Sequence, residues 1–382
     1  MSSSMRATAG TASSARIQSI DLLRGMVMVL MVLDHTRTFL HSSFHEFNAE
    51  DLSQTTPALF FTRWITHFCA PVFIFLTGTS ACLLRQKLQS RKQVFVFLIT
   101  RGLLLILLEL TVFRFCWQPQ EAFFRPFIAF LVIWAIGMSM LFLAFLQLLS
   151  YRVVLFLGLA ILFLHNLLAT VRFPEGSDVA TVWAAFYSGG YVHLAGNVYA
   201  FFLFPLLPYF GLIALGYCLG YLYSPAFTAL RRKKILLSLG AGAVVVFIVL
   251  RYFNTYGDPS PWEPGKNAVY SVMAFLRATK YPLSLFFALM TLGPSLLVLA
   301  FTEPVRNRVT RFFVTVGSVP LFYYILHLLL LALFGYIFGF SRHSLTAVYG
   351  FSFILVVLLY LLCKWYAAYK FAHPEKKWLK YI

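Results

Sequence analysis

The first long apolar stretch of the chain carries four ionisable residues, Asp21, Arg24, Asp34 and His35. If this stretch crosses a membrane as a helix, such residues are costly there and usually functional. Arg24 and His35 are eleven positions apart, about 1100° at 100° per residue, so they share one helix face about 16 Å apart along the axis. This spacing favours a ligand held lengthwise, with an anionic part near Arg24 and a reacting centre near His35.

His35 has the chemistry of a general base, because the ordinary pKa of histidine lies near neutrality and a carboxylate partner could orient the ring. Asp34 is its sequence neighbour, but adjacent helix positions diverge by about 100° and point elsewhere. We take His35, Arg24 and Asp34 as the candidate catalytic residues. The alternative for His35 is a structural hydrogen bond within a helical bundle.

Polar residues on other apolar stretches supply candidates for substrate binding. Arg63 and His67 are four positions apart and would share a helix face, as would His193 and Asn197. Lys280 comes just before a predicted helix start. We assign these five residues to substrate binding, with solvation at the membrane interface as the alternative for the first pair.

The third and ninth apolar stretches contain further candidates. Arg101 joins Arg24 as a candidate for binding the anionic part of a cofactor, although an ion pair with another helix is equally compatible with its position. Tyr323, Tyr324 and His327 fall within the ninth stretch. Tyrosines in such positions are more often interface anchors than catalytic groups.

The composition predicts that these residues lie within a membrane protein. Of 382 residues, 60% are hydrophobic and 12% are charged, whereas about 25% of the residues of soluble domains are charged. The 42 phenylalanines exceed what one soluble core can bury. We therefore predict an all-α, polytopic membrane bundle with the lipid bilayer as its surroundings.

Ten apolar stretches have the length that a bilayer demands. They are Ser19–Leu40, Pro57–Leu84, Val94–Phe115, Pro126–Leu149, Arg152–Thr170, Val198–Tyr223, Ile235–Tyr252, Pro282–Phe301, Phe312–Phe338 and Leu345–Tyr366. The shorter stretch Ser177–Asn197 is predicted to form an interfacial or re-entrant helix; if it spans, the count becomes eleven.

Loop charges predict the orientation. With ten spans and a cytoplasmic N-terminus, most lysines and arginines, including the run Arg231–Lys234, face the cytoplasm, as topology rules require. Both termini are then cytoplasmic. We predict a disordered N-terminus over residues 1–15, a transmembrane domain over residues 16–370 and a basic cytoplasmic tail over residues 371–382.

The distribution of charge and the cysteine content predict which partners and sites the chain lacks. The net charge of +18 resides in short loops between apolar stretches and has no zinc-finger spacing or basic-aromatic interleaving, so we predict no nucleic-acid partner. The five cysteines form no CxxC pair and lie in or beside apolar stretches, so we predict neither a disulfide framework nor a metal site.

Several blocks of sequence resemble the heparan-alpha-glucosaminide N-acetyltransferase-like membrane family, and the resemblance covers nearly the whole chain. These blocks are RIQSIDLLRGMVMVLMVLDHTRTFLH from Arg16, FFTRWITHFCAPVFIFLTGTSA from Phe60, GDPSPW from Gly257, TKYPLSLFFALMTLGP from Thr279 and VPLFYYILH from Val319. The Arg24–His35 spacing is also similar to the Arg-x10-His motif of the broader transmembrane acyltransferases.

The resemblance implies an acyltransferase in the bacterial cytoplasmic membrane that uses acetyl-CoA or another acyl-CoA as co-substrate. It implies His35 as the base and Arg24 as its helper. In the lysosomal enzymes the catalytic His lies in the loop after the first helix, within a KHASW-like stretch that this chain lacks. His41 and His45 occupy that loop here and are alternatives to His35.

The resulting hypothesis is acyl transfer, most simply of acetyl, from cytoplasmic acyl-CoA to a carbohydrate or amino-sugar acceptor on the outer side, with His35 moving a proton or carrying the acyl group. A proton-coupled transporter is the first alternative, because buried acids and histidines also serve proton relays. A non-catalytic membrane scaffold is the second. The sequence leaves the acceptor, the acyl chain length and a homo-oligomeric state open.

Overall fold

The computed structural model describes residues 17–117 and 127–380, most of which are helical. The helices in chain order are α1 Gln18–Leu40, α2 Pro57–Leu88, α3 Arg91–Trp117, α4 Val132–Leu146, α5 Tyr151–Thr170, α6 Asp178–Trp183, α7 Leu206–Tyr223, α8 Ala229–Phe253, α9 Ala268–Leu276, α10 Leu285–Thr302, α11 Arg308–Gly317, α12 Pro320–Phe338 and α13 Leu345–Ala372. The strands are β1 Phe127–Phe130, β2 Gly190–Ala195 and β3 Val198–Phe202.

Eight of the described helices are long and apolar enough to cross a membrane: α2, α3, α5, α7, α8, α10, α12 and α13. The chain is therefore an integral membrane protein, as predicted. Helix α1 has 23 residues but carries its ionisable groups, and α4 has 15 residues. Each of the ten predicted spans overlaps one of these helices, and ten crossings stay a prediction.

A small sheet is the main departure from the predicted all-helical bundle. β3 lies in the middle, parallel to β1 and antiparallel to β2, with Tyr199 paired to both Phe127 and His193. The predicted spans Pro126–Leu149 and Val198–Tyr223 therefore each contain a strand before their helix; Pro126 itself lies outside the described residues. Both strands are rich in aromatic and β-branched residues, which favour strands, but the length of an apolar stretch alone does not distinguish a strand from a helix.

The predicted span Phe312–Phe338 is two helices, because α11 ends at Gly317 and α12 begins at Pro320. Proline has no N–H to donate and disfavours helical backbone in the residue before it. Val319 accordingly has φ −133° and ψ 58°, outside the helical region. The break leaves carbonyl groups at the end of α11 without partners in their own helix.

Helix α1 lies inside the bundle, packed against α11, α12 and α13 and against α2 and α10. Its closest approach is to α11, where two glycines face each other's helix. A Cβ on Gly25 would lie 1.9 Å from the carbonyl oxygen of Phe313, and one on Gly317 would lie 1.9 Å from that of Asp21. Only glycine permits this close approach, which fixes the position of the charged residues of α1 relative to α11.

The chain termini are only partly described. The predicted disordered segment 1–15 lies outside the described residues. In the predicted basic tail, α13 continues to Ala372 and a short 3₁₀ turn follows at Lys377–Lys380. The domain boundaries and the orientation in the membrane stay predictions.

Candidate active site

A cavity of about 850 Å³ opens beside α1 and is lined by residues of α1, α2, α3, α4, α12, the sheet and the segment before α10. Its volume is at the upper end of the range for small-molecule and cofactor sites, about 300–1,000 Å³. Six of the nine residues that the sequence assigned to catalysis, cofactor binding or substrate binding line it: Arg24, Asp34, His35, Arg63, Arg101 and Lys280. The prediction that Arg24 and His35 share a face is confirmed.

The charges of this cavity are strongly unequal. Among the described residues that line it, Arg24, Arg37, Arg63, Arg101 and Lys280 are cations, and the carboxylate is that of Asp34. The rest of the wall is largely apolar and aromatic, with Phe39, Phe73, Leu105, Trp117 and Tyr324 among its members. A cavity of this kind suits a long ligand that is partly apolar and partly anionic.

His35 forms a pair with a second histidine, His327 of α12. The Nδ1 atom of His35 lies 2.7 Å from Nε2 of His327, and the rings stack with centroids 5.0 Å apart. Nδ1 of His327 lies 3.2 Å from the carbonyl oxygen of Tyr323. A carbonyl can only accept, so Nδ1 of neutral His327 carries the proton and its Nε2 accepts from Nδ1–H of His35. His35 therefore keeps a lone pair on Nε2.

Aromatic rings fix the orientation of His35. Trp117 meets its ring edge-on at a centroid distance of 4.9 Å, and Tyr324 does so at 6.3 Å. His327 is fully buried, whereas His35 is partly accessible and lines the cavity. The sequence indicated His327 only as an ionisable residue in an apolar stretch, and its partnership with His35 was not predicted.

Asp34 does not contact His35 as an orienting carboxylate. Nη1 of Arg63 donates to both of its oxygens at 2.7 and 2.8 Å, and Nη2 of Arg37 donates at 3.3 Å. As the helix geometry predicts, Asp34 is not the hydrogen-bond partner of the imidazole, and its carboxylate connects α1 to α2 through the pair with Arg63. Within the candidate catalytic set, Asp34 is therefore the charge partner of the guanidinium groups of Arg63 and Arg37.

Arg24 is held from three sides at the other end of the α1 face. It donates to Asp21 at 2.8 Å, to the hydroxyl of Ser80 at 2.7 Å and to the carbonyl of Gly317 at 3.3 Å. Arg101 of α3 lines the same cavity. Two arginines from different helices therefore line one space, and guanidinium groups form strong charge-assisted hydrogen bonds with anionic ligands.

Lys280 lines the cavity near the His35 end, and its charge acts on both Asp34 and His35. Its segment is fixed by Asp258, whose carboxylate accepts from the Thr279 N–H at 2.7 Å, from the Thr279 hydroxyl at 2.7 Å and from the Ser284 hydroxyl at 2.6 Å. The sequence blocks that begin at Gly257 and Thr279 therefore meet in space and hold Lys280 between them.

His67 is a correction to the predicted substrate site. It is fully buried, outside the cavity, with its ring 4.9 Å from that of Phe287 and Nε2 3.2 Å from Glu50. Burial alone would raise the pKa of the Glu50 carboxyl, but His67 and Arg63 beside it bring the pKa down to about 2. Arg63 lines the cavity and His67 does not, so the predicted pair does not act together on one ligand there; a 3₁₀ turn at Thr66–Phe68 interrupts α2 between them.

His193 and Asn197 are a second correction. They were predicted to share a helix face, but His193 lies on β2 and Asn197 lies in the turn to β3, both exposed. Nε2 of His193 is 2.6 Å from the carbonyl of Gly196, whose φ of +56° suits the tight turn. Neither residue lines the cavity, because the hairpin changes the spacing of side chains.

The two alternative histidines after α1 occupy different surroundings. His41 is buried outside the cavity and is hydrogen-bonded to Ser43, with 2.8 Å between its Nδ1 and the hydroxyl. Burial, together with the charge of Arg37, lowers the pKa of His41. His45 is exposed and lines the cavity beside Phe44. Of the three histidines, His35 is the one that lines the cavity and has a histidine partner.

Comparison with known proteins agrees with the resemblance. The family model described as heparan-alpha-glucosaminide N-acetyltransferase, catalytic, matches residues 16–250, more than half of the chain. This range includes α1 and the part of the cavity that carries Arg24, His35, Arg63 and Arg101, whereas Lys280 and His327 follow it. A search of curated proteins found no match.

Proposed function

The chain belongs to the heparan-alpha-glucosaminide N-acetyltransferase catalytic family of membrane acetyltransferases, and on that premise we propose that it moves an acetyl group from cytoplasmic acetyl-CoA to a sugar-like acceptor on the outer side of a bacterial cytoplasmic membrane. The observation that carries this proposal is the cavity that joins the cationic end at Arg24 to the imidazole of His35. The family gives no support to the transporter alternative.

The donor would occupy the cavity lengthwise. Arg24 and Arg101 would bind anionic parts of CoA, because guanidinium groups form strong charge-assisted bonds with phosphates. The α1 spacing leaves about 16 Å between Arg24 and His35, and the apolar wall between them suits the uncharged arm that carries the thioester. A cytoplasmic N-terminus would place the Arg24 end toward the source of acetyl-CoA.

The reaction requires one proton acceptor that later becomes a donor. As an acceptor hydroxyl or amine attacks the thioester carbon, its proton passes to Nε2 of His35, whose lone pair is left free by the bond from Nδ1–H to His327. The new C–O or C–N bond forms, the C–S bond breaks and the proton on Nε2 goes to the departing CoA thiolate. The products are acetylated acceptor and CoA thiol.

The outer residues would position the acceptor. Arg63 is fixed by Asp34, and Lys280 is fixed through its segment by Asp258. Neither residue needs to move a proton in this scheme. Their contribution would be to hold the reacting group near the thioester carbon, which converts an encounter in solution into a reaction within one complex.

The test is acetyl-CoA turnover by purified protein in detergent, read as free thiol. We expect slow hydrolysis by the wild type and a loss of about 10²–10⁴-fold in His35→Ala, the usual contribution of a general base. His193→Ala is the matched control, because that histidine is exposed and outside the cavity. Arg24→Gln should raise KM for acetyl-CoA.

Two results would count against the proposal. Equal thiol release in the wild type and His35→Ala would remove His35 as the base. A melting temperature unmoved by saturating CoA or acetyl-CoA would remove the donor, since a ligand at 100 times its Kd stabilises the native state by about 2.7 kcal/mol. Acetyl label retained on His35 after acid quenching would instead assign the transfer to an acyl-histidine.

A further inference from the structure

Among the described residues, 17–117 and 127–380, Lys280 is a buried cation without a counterion. It is 8% exposed and lines the cavity. No carboxylate in these residues lies within 4.0 Å of its ammonium nitrogen, which lies 5.1 Å from the centre of the Tyr281 ring. A buried charge is normally paired, so a lysine held in this way indicates a ligand that supplies the negative charge.

The nearby carboxylates are committed to other groups. Asp34 accepts from Arg63 at 2.7 Å and from Arg37 at 3.3 Å. Glu50 lies 3.2 Å from His67, which is outside the cavity. This end of the cavity, comprising Arg37, Arg63, Lys280 and Asp34, therefore keeps an excess of positive charge.

The position of Lys280 is fixed before any ligand binds. Asp258 holds Thr279 and Ser284 on either side of it, and the Ser284 N–H donates to the carbonyl of Thr279 at 3.0 Å. Arg251, which is 1% exposed, binds carbonyl groups of the same loop, including that of Arg277 at 2.6 Å. A segment ordered in this way loses little conformational freedom when it binds a ligand.

Starting from the proposed acyl transfer, we propose that the acceptor is acidic and that its carboxylate or phosphate binds Lys280 beside His35. The donor has its own cations at Arg24 and Arg101, about 16 Å along the helix. The anion at Lys280 thus belongs to the second substrate. A sugar acid or sugar phosphate combines that charge with a hydroxyl or amine for His35 to deprotonate.

Thermal unfolding in detergent tests this assignment with matched sugars. Wild-type protein is titrated with glucose, glucuronate and glucose 6-phosphate, which share a ring and differ in charge. We expect an anionic sugar to bind at least tenfold more tightly than glucose. Lys280→Gln should weaken that binding about 10- to 100-fold, the usual cost of losing a charge-assisted contact, while Lys280→Arg should retain most of it.

The controls separate this inference from the donor assignment. Lys266→Gln changes an exposed lysine in the loop before α9, outside the cavity, and should leave anion binding intact. Acetyl-CoA should stabilise the wild type and all three variants equally, and its failure to do so in the wild type would count against the proposed function alone.

Equal affinity for all three sugars in the wild type overturns the acidic acceptor, and this result does not depend on any variant folding. Anion binding that survives Lys280→Gln and is lost in Arg101→Gln would assign the anion to the donor site and would also overturn it.

Discussion

Replacing His327 tests whether the histidine pair sets the reactive nitrogen of His35. In His327→Phe the ring is kept but the acceptor for Nδ1–H of His35 is lost, so the tautomer with the lone pair on Nε2 is no longer favoured. A neutral hydrogen bond contributes about 0.5–1.5 kcal/mol, and 1.36 kcal/mol is a factor of ten in rate. The loss of this 2.7 Å bond should therefore lower kcat about 2- to 12-fold, with KM for acetyl-CoA unchanged.

The assay is thiol release from acetyl-CoA across a range of substrate concentrations. His327→Gln offers an amide oxygen as acceptor and should recover part of the lost rate, whereas a purely structural role would show as lowered melting temperature without this rescue. A loss in His327→Phe as large as that in His35→Ala would refute the reasoning, because His327 would then act on the substrate itself. Full activity in His327→Phe would show that the pair does not orient His35.

Two further predictions concern the supports of the site. Asp258→Ala removes the acceptor for Thr279 and Ser284 and should lower the free energy of unfolding by about 2–4 kcal/mol; thermal unfolding measures this, and acceptor-dependent turnover should fall more than acetyl-CoA binding. Gly25→Ala forces a Cβ to within 1.9 Å of a carbonyl oxygen of α11 and should lower the melting temperature and raise KM for acetyl-CoA by displacing Arg24. Gly242→Ala is its control, with open space around the Cβ, and should be neutral or stabilising by up to about 1 kcal/mol; equal effects of the two glycine substitutions would contradict the packing argument.

The membrane class and the α1 face followed from the sequence because each depends on local rules. The length of an apolar stretch predicts a membrane-spanning helix, and the spacing of Arg24 and His35 predicts that they share a helix face. Both side chains line one cavity, as that spacing requires. The divergence of Asp34 from His35 followed from the same geometry, and its contact with Arg63 bears it out.

The errors arise where local rules compete. His193 and Asn197 fit a helical spacing, yet Gly196 adopts a positive φ and turns the chain into a hairpin. His67 fits the spacing of Arg63, yet it lies fully buried outside the cavity, within a 3₁₀ turn that interrupts the helix. Hydrophobic stretches of moderate length are compatible with helix or strand, and in these places tertiary pairing decided the outcome.

Partners distant in sequence could not be predicted, and they complete the site. Four residues before and after His35 on its own helix lie Met31 and Phe39, whose side chains carry no nitrogen or oxygen. The side-chain acceptor for Nδ1–H comes from another helix, because His327 supplies it from 292 positions away. No rule of spacing within α1 contains that information.

The break between α11 and α12 likewise supplies a partner for α1 from a distant part of the chain. An unbroken helix would use its own carbonyl groups internally, but a helix end leaves carbonyls free, and that of Gly317 accepts from Arg24 at 3.3 Å. The absence of a Cβ on Gly317 also lets α11 approach the backbone of Asp21, the residue that pairs with Arg24. The break thus gives Arg24 a backbone acceptor, and Pro320 then starts the helix that carries His327. Both reactive positions of α1 therefore depend on one interruption in the chain, which accounts for a proline and a glycine in the middle of an otherwise apolar span.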